Sequence, residues 1–242
     1  MSSPRLYLLD VEGTTSPISL VSEQLFPYAR KHLRAYLHEH AGEPEADADF
    51  AQLLGENVAE TAADVPSFAR FEDIDQAGDY LLWLMDRDRK STALKSLQGK
   101  IWKAGFEAGG LVGTVFADVP EALARWSRRA KIAIYSSGSV EAQQLLFRHS
   151  SVGDLTPYLS DYFDTRVGAK GVAESYRAIA AATEVATDEI LFVSDVVREL
   201  DAAREAGCAT RLSLRDGNQA VLDSGGHPAI RSFAEIGGRA LL

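Results

Sequence analysis

Leu6-Tyr7-Leu8-Leu9-Asp10-Val11-Glu12-Gly13-Thr14-Thr15 opens with a short apolar run that breaks off at an acid. Four residues apolar on both faces of the pleat, with a glycine three positions past the acid, read as a buried parallel strand. Two later stretches repeat the plan. Lys131-Ile132-Ala133-Ile134-Tyr135 runs into Ser136-Ser137-Gly138-Ser139, and Ile190-Leu191-Phe192-Val193 runs into Ser194-Asp195. Helical patterns cover 120–129, 139–149, 173–183 and 197–206, with Gly207 suited to stop the last of them. Thr210-Arg211-Leu212-Ser213-Leu214 reads as one more strand. Strands alternating with helices predict an α/β fold with a doubly wound parallel sheet.

Between the first strand and the rest the pattern changes to helical spacing. Ala29, Leu33, Tyr36 and Leu37 follow Pro27 at helical offsets, as do Phe50, Leu53, Leu54 and Val58. Ile74, Ala77, Leu81, Leu82 and Met85 make a third stripe, and Leu94, Leu97, Ile101, Trp102 and Phe106 a fourth. Residues 18–110 are therefore expected to form an all-helical cap, inserted into a core made of 1–17 and 111–242. The insertion leaves from the C-terminal end of the first strand, where ligands of such sheets bind, so it is expected to act as a lid.

The 242 residues carry 25 basic and 35 acidic side chains, a net charge of −10. An acidic surface repels a phosphate backbone, which argues against nucleic acid as a partner. No run approaches the roughly 20 apolar residues of a membrane helix. No internal disulfide is possible with Cys208 alone, and this thiol reads as a small buried residue. A cytoplasmic monomer is the expectation. Arg87-Asp88-Arg89-Lys90 and Arg128-Arg129 read as solvated faces, and His38 and His40 do not read as a metal site.

In a parallel sheet the three polar strand ends lie on one edge, so Asp10, Ser136, Ser137 and Asp195 can converge. Phosphoryl transfer needs a nucleophile, a cation, donors for the phosphate oxygens and an acid/base. Asp10 can attack without prior deprotonation. Asp195 can share a hard cation with Asp10, and oxygen-only ligands favour Mg²⁺. Glu12 can reach back to protonate the leaving oxygen and activate water. Ser136 and Ser137 offer donors where a helix begins. Lys170, in Val167-Gly168-Ala169-Lys170-Gly171, can neutralise the nucleophile and the phosphate. Glu199, one turn past Asp195, either orients a metal-bound water or faces solvent.

In this order the elements resemble the motifs of the haloacid dehalogenase-like phosphatases. More narrowly, Asp10-Val11-Glu12-Gly13-Thr14-Thr15-Ser16-Pro17-Ile18-Ser19 resembles the signature of the enolase-phosphatase (acireductone synthase) family, in which Glu12 stands where most of the wider superfamily has Asp. Leu97-Gln98-Gly99-Lys100-Ile101-Trp102, Tyr135 through Gln143, Tyr162-Phe163-Asp164-Thr165 and Ser194 through Ala203 extend the resemblance over nearly the whole chain. It implies a bifunctional enzyme of methionine salvage. Such an enzyme enolises 2,3-diketo-5-methylthiopentyl 1-phosphate, a small phosphorylated diketone, and then removes its phosphate. It also implies one Mg²⁺ per chain, held by the Asp10 and Asp195 carboxylates and the Glu12 backbone carbonyl, with Ser136, Ser137 and Lys170 on substrate. The chain departs from the family pattern at Gly109-Gly110-Leu111-Val112, where Gly110 and Val112 replace charged residues. That departure leaves a second reading, another Mg²⁺-dependent small-molecule phosphatase of the same superfamily.

Overall fold

Residues 3–70 and 72–237 are described in a computed structural model of the chain. They divide into two compact units, 1–21 with 112–242 and 22–111.

The first unit is built on a six-stranded sheet. Its strands are β1 (Leu6–Leu9), β2 (Lys131–Tyr135), β3 (Asp161–Phe163), β4 (Ile190–Ser194), β5 (Ala209–Ser213) and β6 (Ala229–Ile230). Their spatial order is β3-β2-β1-β4-β5-β6 and every pairing is parallel. The order reverses between β1 and β4, and at such a switch point the strand ends leave a crevice for ligand. β1 is paired on both sides, Leu9 with Ile134 and with Val193. All four of its residues are buried, which is why the run is apolar without alternation.

The two faces of the sheet are covered by different helices. Leu6, Leu8, Ala133, Tyr135 and Phe192 join one core cluster with Tyr176 and Ile179 of α7 (Ala173–Thr183) and Leu200 and Ala203 of α8 (Val197–Glu205). On the opposite face Tyr7 stacks on Trp126 of α5 (Val119–Trp126) at 4.2 Å, and Trp126 meets Phe233 at 5.2 Å. Such aromatic pairs add about 0.5–1.5 kcal/mol beyond their burial. α6 (Val140–Arg148) follows β2, capped by Ser139, whose hydroxyl accepts from Ala142 N at 3.2 Å. α8 ends at Gly207 with φ +102°, a conformation only glycine adopts freely. Cys208 is buried, and burial pushes its thiol up to about 12.

The second unit consists of α1 (Phe26–Glu39), α2 (Pro44–Ala59), α3 (Ile74–Asp86) and α4 (Thr92–Glu107), packed round Leu33, Leu53, Leu81 and Leu97. A π-helical turn, Leu20–Leu25, precedes α1. Ser91 caps α4 by accepting from Leu94 N at 2.9 Å. One residue of the helical stripes is displaced. Val58 is 78% exposed, and Asn57 takes the buried place instead, its amide donating to Pro66 O at 2.8 Å. Gly110 packs against Tyr28: a Cβ there would lie 3.0 Å from its hydroxyl, so a longer side chain would require the tyrosine to shift. His38 pairs with Asp75, and His40 stacks on Tyr36. Among the described residues no helix is long and apolar enough to cross a membrane.

Candidate active site

Asp10 follows the last residue of β1 and is buried, with its amide still in register, donating to Val193 O at 3.0 Å. Its Oδ1 accepts from Val11 N and from Lys170 Nζ, both at 2.7 Å. Ser194 Oγ lies 2.9 Å from Glu199 Oε2 and 3.2 Å from Asp10 Oδ2, so its single proton serves one of the two carboxylates at a time. Lys170 also reaches Glu199 Oε2 at 2.6 Å. One ammonium thus bridges a carboxylate from the end of β1 and one from the first turn of α8.

Lys170 is not on a helix or strand, so something else must hold it. Three consecutive carbonyls of its loop each take a side-chain hydroxyl. Tyr135 donates to Gly168 O at 2.9 Å, Ser175 to Ala169 O at 2.8 Å, and Tyr176 to Lys170 O at 2.7 Å. Tyr176 is fully buried and also lies 3.1 Å from Glu199 O. The loop is therefore pinned to β2 and α7, and the lysine enters the site from a rigid base.

Asp10, Glu12, Ser136, Ser137, Lys170, Asp195 and Glu199 line one cavity of about 190 Å³. All six residues singled out in the sequence sit round it, and Glu199 joins them rather than facing solvent. Ser136 is buried, its amide donating to Phe163 O and its Oγ accepting from Gly138 N at 3.1 Å. Ser137 is exposed at the cavity wall.

Four carboxyl groups and one ammonium share this small space, and the proton affinities follow. Burial raises Glu12 above the usual carboxylate range, and the Asp10 charge adds to it while Lys170 opposes. Asp195 is pushed up to about 7, by burial first and then by Asp10. Glu199 is raised for the same two reasons. Burial alone would lower Lys170, but the Asp10 and Glu199 charges outweigh it and hold the ammonium protonated.

This excess of negative charge fits a divalent cation. The donor set is all oxygen, which suits Mg²⁺. The backbone supplies a further donor. Val11 O accepts the amides of Thr14, Thr15 and Ser16, and Gly13 O accepts from Ser213 Oγ and Asn218 Nδ2. Among the described residues, the Glu12 carbonyl between them takes no backbone amide. Gly13 itself has φ +67°, and a Cβ there would overlap the Asp195 carboxylate, so only glycine admits Asp195 this close.

Sequence reasoning passed over Tyr135, Ser175, Tyr176 and Ser194. Each acts through a hydroxyl on a residue that also reads as strand or helix interior, and no local spacing marks such a contact.

A family model described as haloacid dehalogenase-like hydrolase matches residues 4–207. "Enolase-phosphatase E1" of Synechococcus elongatus is 52% identical over 95% of this chain and 96% of its own length. The protein of the same name from Pseudomonas aeruginosa is 46% identical over 95% and 96%. Among solved structures, the UTR4 protein of Saccharomyces cerevisiae superposes with a TM-score of 0.78 at 32% identity, covering 96% of this chain and all of the yeast one. The chain belongs to the haloacid dehalogenase-like hydrolases and, within them, to the enolase-phosphatase E1 family.

Proposed function

We propose that the chain is a Mg²⁺-dependent bifunctional enolase-phosphatase. It enolises 2,3-diketo-5-methylthiopentyl 1-phosphate and hydrolyses the product to acireductone, 1,2-dihydroxy-3-keto-5-methylthiopentene. The observation that carries this reading is the cavity in which Lys170 touches Asp10 and Glu12 and Asp195 face the same space. The identity to enolase-phosphatase E1 proteins along nearly the full length supports the same reading.

C1 of the substrate lies between a phosphate ester oxygen and the C2 carbonyl, so its protons are acidified. Enolisation moves one of them from C1 to the C2 oxygen. Glu12 is assigned as the base, because it lines the cavity and Lys170 is engaged with Asp10 and Glu199 instead. In the second half-reaction Glu12, reprotonated from solvent, gives a proton to the leaving enol oxygen as an Asp10 carboxylate oxygen attacks phosphorus. Burial raises Glu12 above the usual carboxylate range, which favours its acid form. Glu12 then takes a proton from water, which attacks the aspartyl phosphate, releases phosphate and restores the Asp10 carboxylate. Ser136, Ser137 and Lys170 hold the phosphate oxygens. Mg²⁺, held by the Asp10 and Asp195 carboxylates and the Glu12 carbonyl, would supply electrostatic stabilisation for the charge on the phosphoryl group.

The reading is tested by following phosphate and the ultraviolet absorbance of the enol together, in Mg²⁺, with the diketone phosphate as substrate. Phosphate without an enol signal contradicts the bifunctional assignment.

A further inference from the structure

The end of β5 and the segment that follows it have no part in the chemistry above, yet three of their side chains are aimed at the loop after β1. Ser213 Oγ donates to Gly13 O at 3.0 Å, and Asn218 Nδ2 donates to the same carbonyl at 2.8 Å. Arg215 Nε donates to Thr14 O at 3.3 Å. Two of these donors are themselves fixed. Ser213 is fully buried, and the Arg215 guanidinium lies between the Phe116 and Phe233 rings, 4.6 and 4.7 Å from their centres, while its Nη1 pairs with Asp118 at 2.9 Å.

Gly13 needs such support. A glycine at φ +67° has no Cβ to limit rotation about its backbone, so the peptides on either side must be restrained by hydrogen bonds. On one side the Gly13 amide donates to Ser16 O at 2.8 Å, which fixes the peptide that carries the Glu12 carbonyl. On the other, the Gly13 carbonyl is fixed by Ser213 and Asn218. A Cβ on Gly13 would lie 3.0 Å from Asn218 Nδ2 and would overlap Asp195, so both side chains rest against the same α-carbon.

We propose that Asn218 is a positioning residue for the metal site. By holding the Gly13 carbonyl it restrains the backbone next to the Glu12–Gly13 peptide, and so would keep the Glu12 carbonyl and Asp195 in place to hold the cation. The proposal rests on the reading of Asp10, Glu12 and Asp195 as Mg²⁺ ligands. Partners one shell out from a metal commonly change its affinity by about 10–100-fold.

The test is Mg²⁺ binding to the full chain by calorimetry, wild type against Asn218→Ala, alongside the Mg²⁺ dependence of phosphate release. Both the dissociation constant and the half-saturating Mg²⁺ concentration should rise about tenfold, with a smaller fall in kcat at saturating Mg²⁺. A lower melting temperature with unchanged Mg²⁺ affinity overturns the proposal, since a purely structural brace would give that result. If Asn218→Ala does not fold, Ser213→Ala, which removes the other donor to the same carbonyl, should raise the same constant less steeply. An unchanged constant there overturns the proposal as well. A wild-type chain that binds no Mg²⁺ would overturn the ligand reading too, and so is distinguished from a variant with unaltered affinity.

Discussion

The Lys170 ammonium sits 2.7 Å from Asp10 Oδ1, and neither side chain is more than 10% exposed. A buried pair of this kind gains little over an apolar core, but breaking it leaves a charge with no partner, at a cost of about 3–5 kcal/mol. Here the lysine also faces Glu199, so its loss would strand two carboxylates.

Lys170→Met should therefore abolish measurable phosphate release while lowering the melting temperature of the metal-free protein. Added Mg²⁺ should recover part of the lost stability, since it offsets the same charges. A variant with near wild-type turnover would show that Lys170 has no part in the chemistry.

Glu12→Gln keeps the backbone carbonyl and removes the acid. General acid–base catalysis is worth about 10²–10⁴-fold, so phosphate release should fall by that order and the enol signal should slow with it. Mg²⁺ binding should persist. If only phosphate release falls, Glu12 is not the base for enolisation.

Gly13→Ala tests the close approach of Asp195. The added methyl must displace the Asp195 carboxylate and forces a side chain into φ +67°. Mg²⁺ affinity and activity should both drop, and the loss of affinity, measured by calorimetry, should exceed what the fall in melting temperature would suggest.

The pH dependence of the metal-free protein follows from Asp195. Its carboxyl is held at about 7 in the folded chain, against about 4 when unfolded. Between those values the folded state binds more protons than the unfolded one, so stability falls as pH rises from about 4 to about 7. Glu12 and Glu199, also raised, act in the same direction. Mg²⁺ binds the ionised carboxylate, so its affinity should climb as pH passes about 7. Melting temperatures with and without Mg²⁺ should diverge at pH 8 and converge at pH 5.5; a constant difference would contradict this assignment.

What the sequence made legible was the part encoded in contiguous patterns. β1, β2, β4 and β5 announce themselves as apolar runs ending in polar residues, because a strand buried on both faces has no reason to alternate. β3 and β6, of three and two residues, are too short to carry a period. Val58 fits its helical stripe, yet Asn57 is buried beside it because its amide can satisfy Pro66 O, a partner no periodicity reports. Asp10, Glu12, Ser136, Ser137 and Asp195 were readable because they stand at strand ends. The hydroxyls of Tyr135, Ser175 and Tyr176 were not, since their carbonyl partners lie in a loop whose path only the folded chain defines.

The central claim is that Asp10 attacks phosphorus, and Asp10→Asn tests it most directly. The amide preserves shape but cannot act as the nucleophile. With the diketone phosphate and saturating Mg²⁺, phosphate release should fall by about 10³-fold or more while the chain remains folded. Phosphate release at near wild-type rates would contradict the account.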